Sequence, residues 1–300
     1  MRYHAFSLVF DCDIPLGDLL PPAGTDEHVP PDVQIRLLPV DDPVSAGATQ
    51  QGPFLWTRGQ VLWLRVPGVA WFKVSDGAHI VVEPDAAVDE ASLRLFLLGS
   101  PLGALLAQRN LLVLHGNAIR IGDHCMVCVG PSGVGKSTLA AAFMQRGHSV
   151  LADDIVPIDA DGRALAGYPR IKLWQDAADQ LSIGTAALQR VRPALQKFHV
   201  PLASAFAGDS LPVRWIYVLS RYNLSEVALE PITGLDRFLP LRDNAYRMQF
   251  VDAMALGGTH MRLGAALAGR VRMAQVRRPR DGNSLDAMVD TLLADIEQHP

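Results

Sequence analysis

Short apolar runs separated by Gly-, Pro- and Asp-rich breaks dominate the first hundred residues. Residues 3–10, 33–38, 61–66, 69–74 and 79–82 have strand composition and are bounded by turn residues, notably Pro67-Gly68 and Ser75-Asp76-Gly77. Residues 12–32 and 41–52 read as loops. At Asp89 the pattern changes to a helix that runs to Gln108, capped near Asp89 and kinked or broken around Gly99-Ser100-Pro101. Residues 125–129 are continuously apolar, as a strand covered on both faces should be. Residues 136–146 are rich in helix formers and Gly147 fits the position after a helix end; 148–152 reads as the next strand. Residues 155–167 read as strand, turn and strand about Asp159-Ala160-Asp161-Gly162. A strand-like segment at 168–174, a helix near 176–181, two strands at 213–220 and 226–231 that extend the sheet, a mostly helical 236–267, a strand at 271–276 and a helix at 285–298 complete the prediction. The order divides the chain into a β-rich part (1–88), a connecting helix (89–110) and an α/β part (111–300).

Between the apolar strand and the helix stands Gly130-Pro131-Ser132-Gly133-Val134-Gly135-Lys136-Ser137-Thr138, a complete G-x-x-x-x-G-K-[ST] phosphate loop. Such a loop wraps backbone N–H groups, here those of Gly130, Ser132, Gly133, Val134, Gly135, Lys136, Ser137 and Thr138, around a nucleotide's phosphates. Lys136 neutralises the β/γ oxygens and the Ser137 hydroxyl sits on Mg²⁺. Asp153-Asp154 falls at the carboxyl end of the following strand, where ligands of open α/β sheets bind, so loop and acid pair should face one site. Phosphoryl transfer is mostly positioning and charge neutralisation, and a hydroxyl acceptor also needs a group to take its proton. Asp154 is the expected base, and Asp153, pointing the other way along a strand, is expected near the hydrated metal. Arg170 and Lys172 alternate on one strand face and either line the mouth of the site or are ordinary solvent-facing charges. The basic segment 190–199 is either a substrate-facing loop or a basic surface turn.

The segment GPSGVGKSTLAAAFMQRGHSVLADDIV closely resembles the core of HPr kinase/phosphorylase, with its phosphate loop, R-G-H helix end and A-D-D strand end at this spacing. Leu114-His115-Gly116 and Ile119 resemble the H-G strand that precedes the loop in that family. The resemblance implies an HPr-kinase-like α/β P-loop domain with a mixed sheet, preceded by a smaller β-rich domain. It also implies His115, Lys136 and Asp154 as active-site groups, Ser137 on magnesium, ATP and Mg²⁺ as cofactors, and association of several copies. The likeness is clear over 111–160, weaker over 170–290 and absent from the first hundred residues. No glutamate stands in Pro169-Arg170-Ile171-Lys172-Leu173, where the family carries a metal-binding one, and Thr138 replaces the glutamate after the loop serine. No P-V-x-P-G-R-N-type loop follows between Phe198 and Leu219. These departures favour kinase over phosphorylase activity and an acceptor other than HPr. They look more like the HPr-kinase-like enzymes of ribosomally made peptides, including lasso-peptide tailoring kinases. The expected reaction is transfer of the ATP γ-phosphoryl to a serine or other hydroxyl of a peptide or protein.

Two other readings use the same loop. Small-molecule kinases carry arginine-rich lids, and the arginines at 190, 192, 242, 247, 262 and 272 keep that class open; so does a nucleotide-gated binding protein. An ABC ATPase is excluded by the missing LSGGQ-type signature. A net charge of −4 over 300 residues gives no nucleic-acid footprint. The start has no signal-peptide pattern, and the apolar stretch 93–106, broken by Arg94 and Pro101, is shorter than the roughly twenty residues that span a bilayer. A cytoplasmic protein without a membrane partner is the expectation. Cys12, Cys125 and Cys128 are the 3 cysteines; the Cys125-x-x-Cys128 pair points to opposite faces of a strand and is read as core.

Overall fold

The computed structural model describes residues 1–17, 30–223, 225–279 and 284–300. Most of the loop expected at 12–32 therefore lies outside the described residues. The N-terminal strands are β1 (Arg2–Ala5), β2 (Leu8–Cys12), β3 (Val33–Leu37), β4 (Thr49–Gly52), β5 (Leu55–Arg58), β6 (Val61–Val66), β7 (Ala70–Ser75) and β8 (His79–Pro84). They form one eight-stranded sheet in the order β1-β2-β3-β8-β7-β6-β5-β4. The strand expected over 3–10 is in fact a hairpin. Phe6 and Ser7 both adopt positive φ (55° and 58°), and Phe6 is buried edge-on against Tyr168. Neither residue is a customary left-handed turn former, so burial of the Phe6 ring outweighs local preference. The strand β4 lies within a stretch expected to be loop, because its residues are polar and its pairing with β5 comes from the tertiary fold.

The connecting helix is two helices, α1 (Glu90–Leu97) and α2 (Ser100–Gln108), broken at Gly99 as expected. Asp89 caps α1 by accepting from the Ser92 amide at 2.8 Å. The span Glu90–Gln108 is, by length and composition, apolar enough to cross a membrane, but 72% of it is buried in this fold. Its Leu97, Leu102, Leu105 and Leu106 pack with Phe10, Phe72 and Ile80 of the sheet and with Phe250 and Met254 further on. Full burial of each such leucine contributes roughly 1.5–3 kcal/mol. One apolar cluster thus joins the N-terminal sheet to the rest of the chain.

The remaining elements are β9 (Leu112–Leu114), β10 (Gly116–Ile121), β11 (His124–Val129), α3 (Lys136–Gln145), β12 (Val150–Asp153), β13 (Val156–Ile158), β14 (Arg163–Ala164), β15 (Arg170–Trp174), α4 (Gln175–Gln180), β16 (Lys197–Pro201), β17 (Leu211–Tyr222), β18 (Ala228–Pro231), α5 (Phe238–Asp243), α6 (Met248–Ala253), α7 (Gly257–Ala268), β19 (Arg272–Pro279) and α8 (Leu285–Gln298). The second sheet is mixed. β11, β17 and β19 are parallel, β10 runs antiparallel to both β11 and β12, and β18 closes the edge against β19. One face is covered by α3 and α8 through Met126, Cys128, Phe143, Tyr217, Met288 and Leu292. The other packs Cys125, Val127, Ile216, Leu241 and Leu267. Cys125 and Cys128 thus lie on opposite faces as buried free thiols. The strand β16 occupies the end of the segment expected as a basic loop and pairs antiparallel with β15 as a separate two-stranded sheet.

Candidate active site

Strand direction decides which residues meet. β11 and β12 both run antiparallel to β10, so they are parallel to each other, and their carboxyl ends flank the amino end of β10. The phosphate loop leaves β11, Asp153-Asp154 ends β12, and His115 immediately precedes β10. Residues far apart in sequence therefore converge on one edge, the edge at which ligands of open α/β sheets bind. β10 can sit between the two because Gly116 has no side chain: a Cβ there would lie 2.4 Å from the Cys128 carbonyl oxygen.

The loop turns on Gly130, Gly133 and Gly135, all at positive φ, and Gly130 also lies against β17, where a Cβ would sit 2.5 Å from the Leu219 carbonyl oxygen. It delivers Lys136 and Ser137 to the amino end of α3, whose free amides and dipole favour anionic groups. Lys136 is buried, and its ammonium donates to the carbonyl oxygens of Gly130 (2.7 Å) and Pro131 (3.1 Å). Burial lowers its pKa, against the pull of Asp153 and Asp154. The α3 start is tied down from β10, since the Asn117 amide donates to the Lys136 carbonyl at 2.5 Å.

The acid pair divides because Asp154 leaves the strand at φ 77°, a left-handed conformation that Asp tolerates better than most residues. Asp153 turns toward α3 and accepts from the Ser137 hydroxyl (2.8 Å) and the Lys172 amide (2.9 Å). Burial and the neighbouring Asp154 charge raise its pKa. Asp154 turns away and accepts from the Lys172 ammonium at 2.7 Å. His115 Nδ1 lies 3.3 Å from the Asp154 carboxylate and 3.0 Å from its carbonyl oxygen, and with the proton on Nδ1 the ring donates there. Burial opposes ionisation of Asp154, but Lys172 and His115 outweigh it and hold the carboxyl well below its ordinary range.

These groups line a cleft of about 200 Å³ together with Ser132, Gly133, Gly135, Thr138 and Gly116. Gly130 lines a second cavity beside it, and Val134 is buried in the core against α3. Of the two β15 cations, Lys172 reaches the cleft. Arg170 does not line the mouth; it is buried, stacked 4.7 Å over the Tyr168 ring, and burial pushes its pKa down to about 10. Its alternation with Lys172 is real, but the face they share is turned inward beyond Lys172.

The cleft also holds residues that sequence reasoning did not assign to the site. Arg221 and Arg278 end the adjacent parallel strands β17 and β19 in register. Arg221 donates to the Gly133 carbonyl at 2.6 Å, and the Arg278 guanidinium lies 3.5 Å from where a Gly135 Cβ would be. The readable signal was a basic residue at the carboxyl end of each strand; which strands flank β11 was not readable. Trp174 and Lys197, paired across the β15–β16 ladder, form the outer lip, with Trp174 47% exposed.

The residues of the cleft fit Mg²⁺ and a nucleotide. A hydroxyl and a carboxylate oxygen 2.8 Å apart at the start of α3 suit a cation that takes one or two protein oxygens and completes its shell from phosphate and water. The loop amides with Lys136, Arg221 and Arg278 suit a polyphosphate. Among the described residues no cluster of three or more His, Cys, Asp or Glu forms a separate metal cage.

Fold and cleft together define a P-loop α/β protein with a carboxylate pair opposite its loop. Residues 105–183 match the family described as the HPr Serine kinase C-terminal domain. The chain therefore contains an HPr-kinase-like domain. It is similar to HPr kinase/phosphorylase of Lactobacillus acidophilus, 42% identical over 62 residues, which is 21% of this chain and 19% of that protein. It is also similar to HPr kinase/phosphorylase of Clostridium beijerinckii, 37% identical over 59 residues, which is 19% of this chain and 20% of that protein. The chain thus spans about a fifth of the length of these curated relatives. A solved structure of the Hpr(Ser) kinase/phosphatase from Coxiella burnetii is similar at 14% identity over 62% of this chain and 90% of that one, with a TM-score of 0.29.

Proposed function

We propose that the chain is an ATP- and Mg²⁺-dependent kinase that phosphorylates a serine or comparable hydroxyl on a peptide or protein, in the cytoplasm. Its parts would be an N-terminal β-rich region (1–88), a helical connection (89–110) and the kinase core (111–300). The observation that carries the reading is the meeting of Lys136, Ser137, Asp153, Asp154 and His115 at one sheet edge. When bound, the nucleotide supplies the phosphoryl group and the metal ion offsets its charge. Lys136, Arg221, Arg278 and the loop amides hold the phosphate oxygens, and Ser137 and Asp153 hold the metal. Asp154 orients the acceptor hydroxyl and accepts its proton. A loose transition state asks little of the nucleophile, so a carboxylate kept ionised by Lys172 and His115 suffices as acceptor. The exposed face of Trp174 offers a surface for the base to stack on.

Incubation of the protein with γ-labelled ATP, Mg²⁺ and serine-containing peptides tests the reading. Label on a peptide serine is expected. Nucleotide binding or phosphate release with no labelled acceptor would refute the kinase assignment and favour a nucleotide-gated binding protein.

A further inference from the structure

The nucleotide cleft is not closed at Asp154. His115, Ser132, Asp154 and Lys172 line it and also line a second cavity of about 530 Å³ on the far side of the carboxylate. That cavity is walled by Leu95, Phe96, Gly99 and Ser100 at the α1–α2 break and by residues 243–247. Phe96, Ser100 and Arg247 in turn line a third cavity of about 750 Å³, whose other walls are Pro53, Phe54, Val66 and Pro67 of the N-terminal sheet and Phe250 of α6. Through these shared walls the three cavities follow one another from the phosphate loop to the N-terminal sheet.

The path is built into the fold. Tyr246 forms part of its wall and is held by its amide on the Val113 carbonyl at 2.8 Å, with its ring 6.0 Å from that of His115. Its ring lies where side chains on Gly99 or Gly103 would be: Cβ atoms there would sit 3.3 Å from its hydroxyl oxygen and 2.6 Å from its ring. The two glycines at and after the break in the connecting helix therefore let the Tyr246 ring seat against the helix and form this wall. Each outer cavity alone has the volume of a drug-sized ligand site. Joined end to end they exceed what a small hydroxyl metabolite would fill, and an extended chain at ~3.3 Å per residue would occupy several residues' length.

We infer that this path is the acceptor site, and that it takes an extended peptide with a hydroxyl residue at the Asp154 end, an acidic residue facing Arg247 and an apolar side chain in the outer trough. The inference rests on the kinase reading above and names its substrate class. Continuity with the cleft, through four shared residues, places the occupant's hydroxyl. The trough is apolar where Phe54, Val66, Pro67 and Phe250 meet. Its cations differ in availability. Arg65 is engaged by Asp85 through two 2.8 Å contacts, whereas Arg247, exposed at the junction with its guanidinium 5.9 Å from the Tyr246 ring centre, is in no ion pair among the described residues. Asp243 lines the middle cavity and Asp252 the outer one, whereas Arg247 lines both, so acid preference is confined to the junction itself. The N-terminal sheet is in this view part of the substrate site.

The test is a positional-scanning library of serine-centred peptides with γ-labelled ATP, read for the full chain and for Arg247→Glu and Phe54→Ala. Wild type is expected to select Asp or Glu at one position and an apolar residue further along. Arg247→Glu should switch the first preference to Lys or Arg. Phe54→Ala should raise the KM of the preferred peptide by roughly tenfold, with the KM for ATP and peptide-independent ATP hydrolysis unchanged. Phe54 and Arg247 are exposed, and unchanged thermal melts would exclude misfolding. If peptides are phosphorylated but both variants keep wild-type preference and KM, the groove is wrong and the kinase reading stands. If only a small-molecule hydroxyl accepts phosphate, the peptide class itself is overturned.

Discussion

Replacing Asp154 by Asn should separate chemistry from binding at this site. The substitution suits the backbone: the residue sits at φ 77°, which Asn adopts as readily as Asp, so the strand end and the neighbouring Asp153 should stay in place. The amide oxygen can still accept from the Lys172 ammonium, now 2.7 Å from the carboxylate, and only the charge is lost. Side-chain exposures of 11% for Lys172 and 29% for Asp154 leave that pair partly screened, so the stability change should stay near 1 kcal/mol. Loss of a positioned base lowers kcat by about 10²–10⁴, or about 2.7–5.4 kcal/mol at 1.36 kcal/mol per decade. Nucleotide affinity should be unchanged or slightly tighter, because a negative charge next to the phosphates is gone. Transfer of labelled phosphate to a serine peptide, with nucleotide binding followed in parallel by a fluorescent ATP analogue, reads both quantities. A fall in kcat of less than tenfold would remove Asp154 from the base role. A matching loss of nucleotide binding would make it a phosphate- or metal-holding group instead.

Other outcomes follow from single contacts. Trp174→Ala should weaken ATP by about 1–3 kcal/mol if the base stacks there, with inorganic triphosphate binding unaffected; calorimetric titration of both ligands decides it. Gly130→Ala places a Cβ 2.5 Å from the Leu219 carbonyl oxygen at φ 146° and should cost about 2–3 kcal/mol in denaturant unfolding while abolishing nucleotide binding. Asp295 accepts from Tyr217 (2.8 Å) and Arg272 (2.7 and 2.5 Å) beneath the sheet. Burial raises its pKa, but Arg272 and Tyr217 outweigh that and hold it below the ordinary 3.8. Its stabilisation is therefore complete above that value and lost as pH falls through the lower folded value. Asp295→Asn should cost about 1–3 kcal/mol at pH 7, and the gap to wild type should shrink below about pH 4 in urea titrations. An equal gap at pH 7 and pH 3 would refute the ionic origin.

Some of this architecture is written locally. The phosphate loop needs glycines where φ is positive and a lysine and serine at the helix start, and those demands are met within nine consecutive residues. The break at Gly99-Ser100-Pro101, the Asp89 cap and the opposed faces of Cys125 and Cys128 likewise follow from backbone and side-chain period alone. The acid pair could be placed because it ends the next strand of one βαβ-like stretch. The turn at Phe6-Ser7 could not, since its only driving force is the pocket that Tyr168 and the inner face of the first sheet provide. Nor could the strand β4, whose polar residues have no period to read.

Strand order was the decisive information that the chain does not carry locally. Only the antiparallel insertion of β10 between β11 and β12 brings His115 beside Asp154, and only the parallel placement of β17 and β19 turns Arg221 and Arg278 toward the loop. The same holds for Arg170, whose alternation with Lys172 suggested a shared outward face until packing against Tyr168 put it inside. Sequence determined the phosphate loop itself, because its demands are confined to contiguous residues, whereas Arg221 and Arg278 join it only through the fold. Tertiary structure decided what lies beyond Asp154, because a cavity between a broken helix and another sheet exists only once distant segments bury their apolar faces against each other.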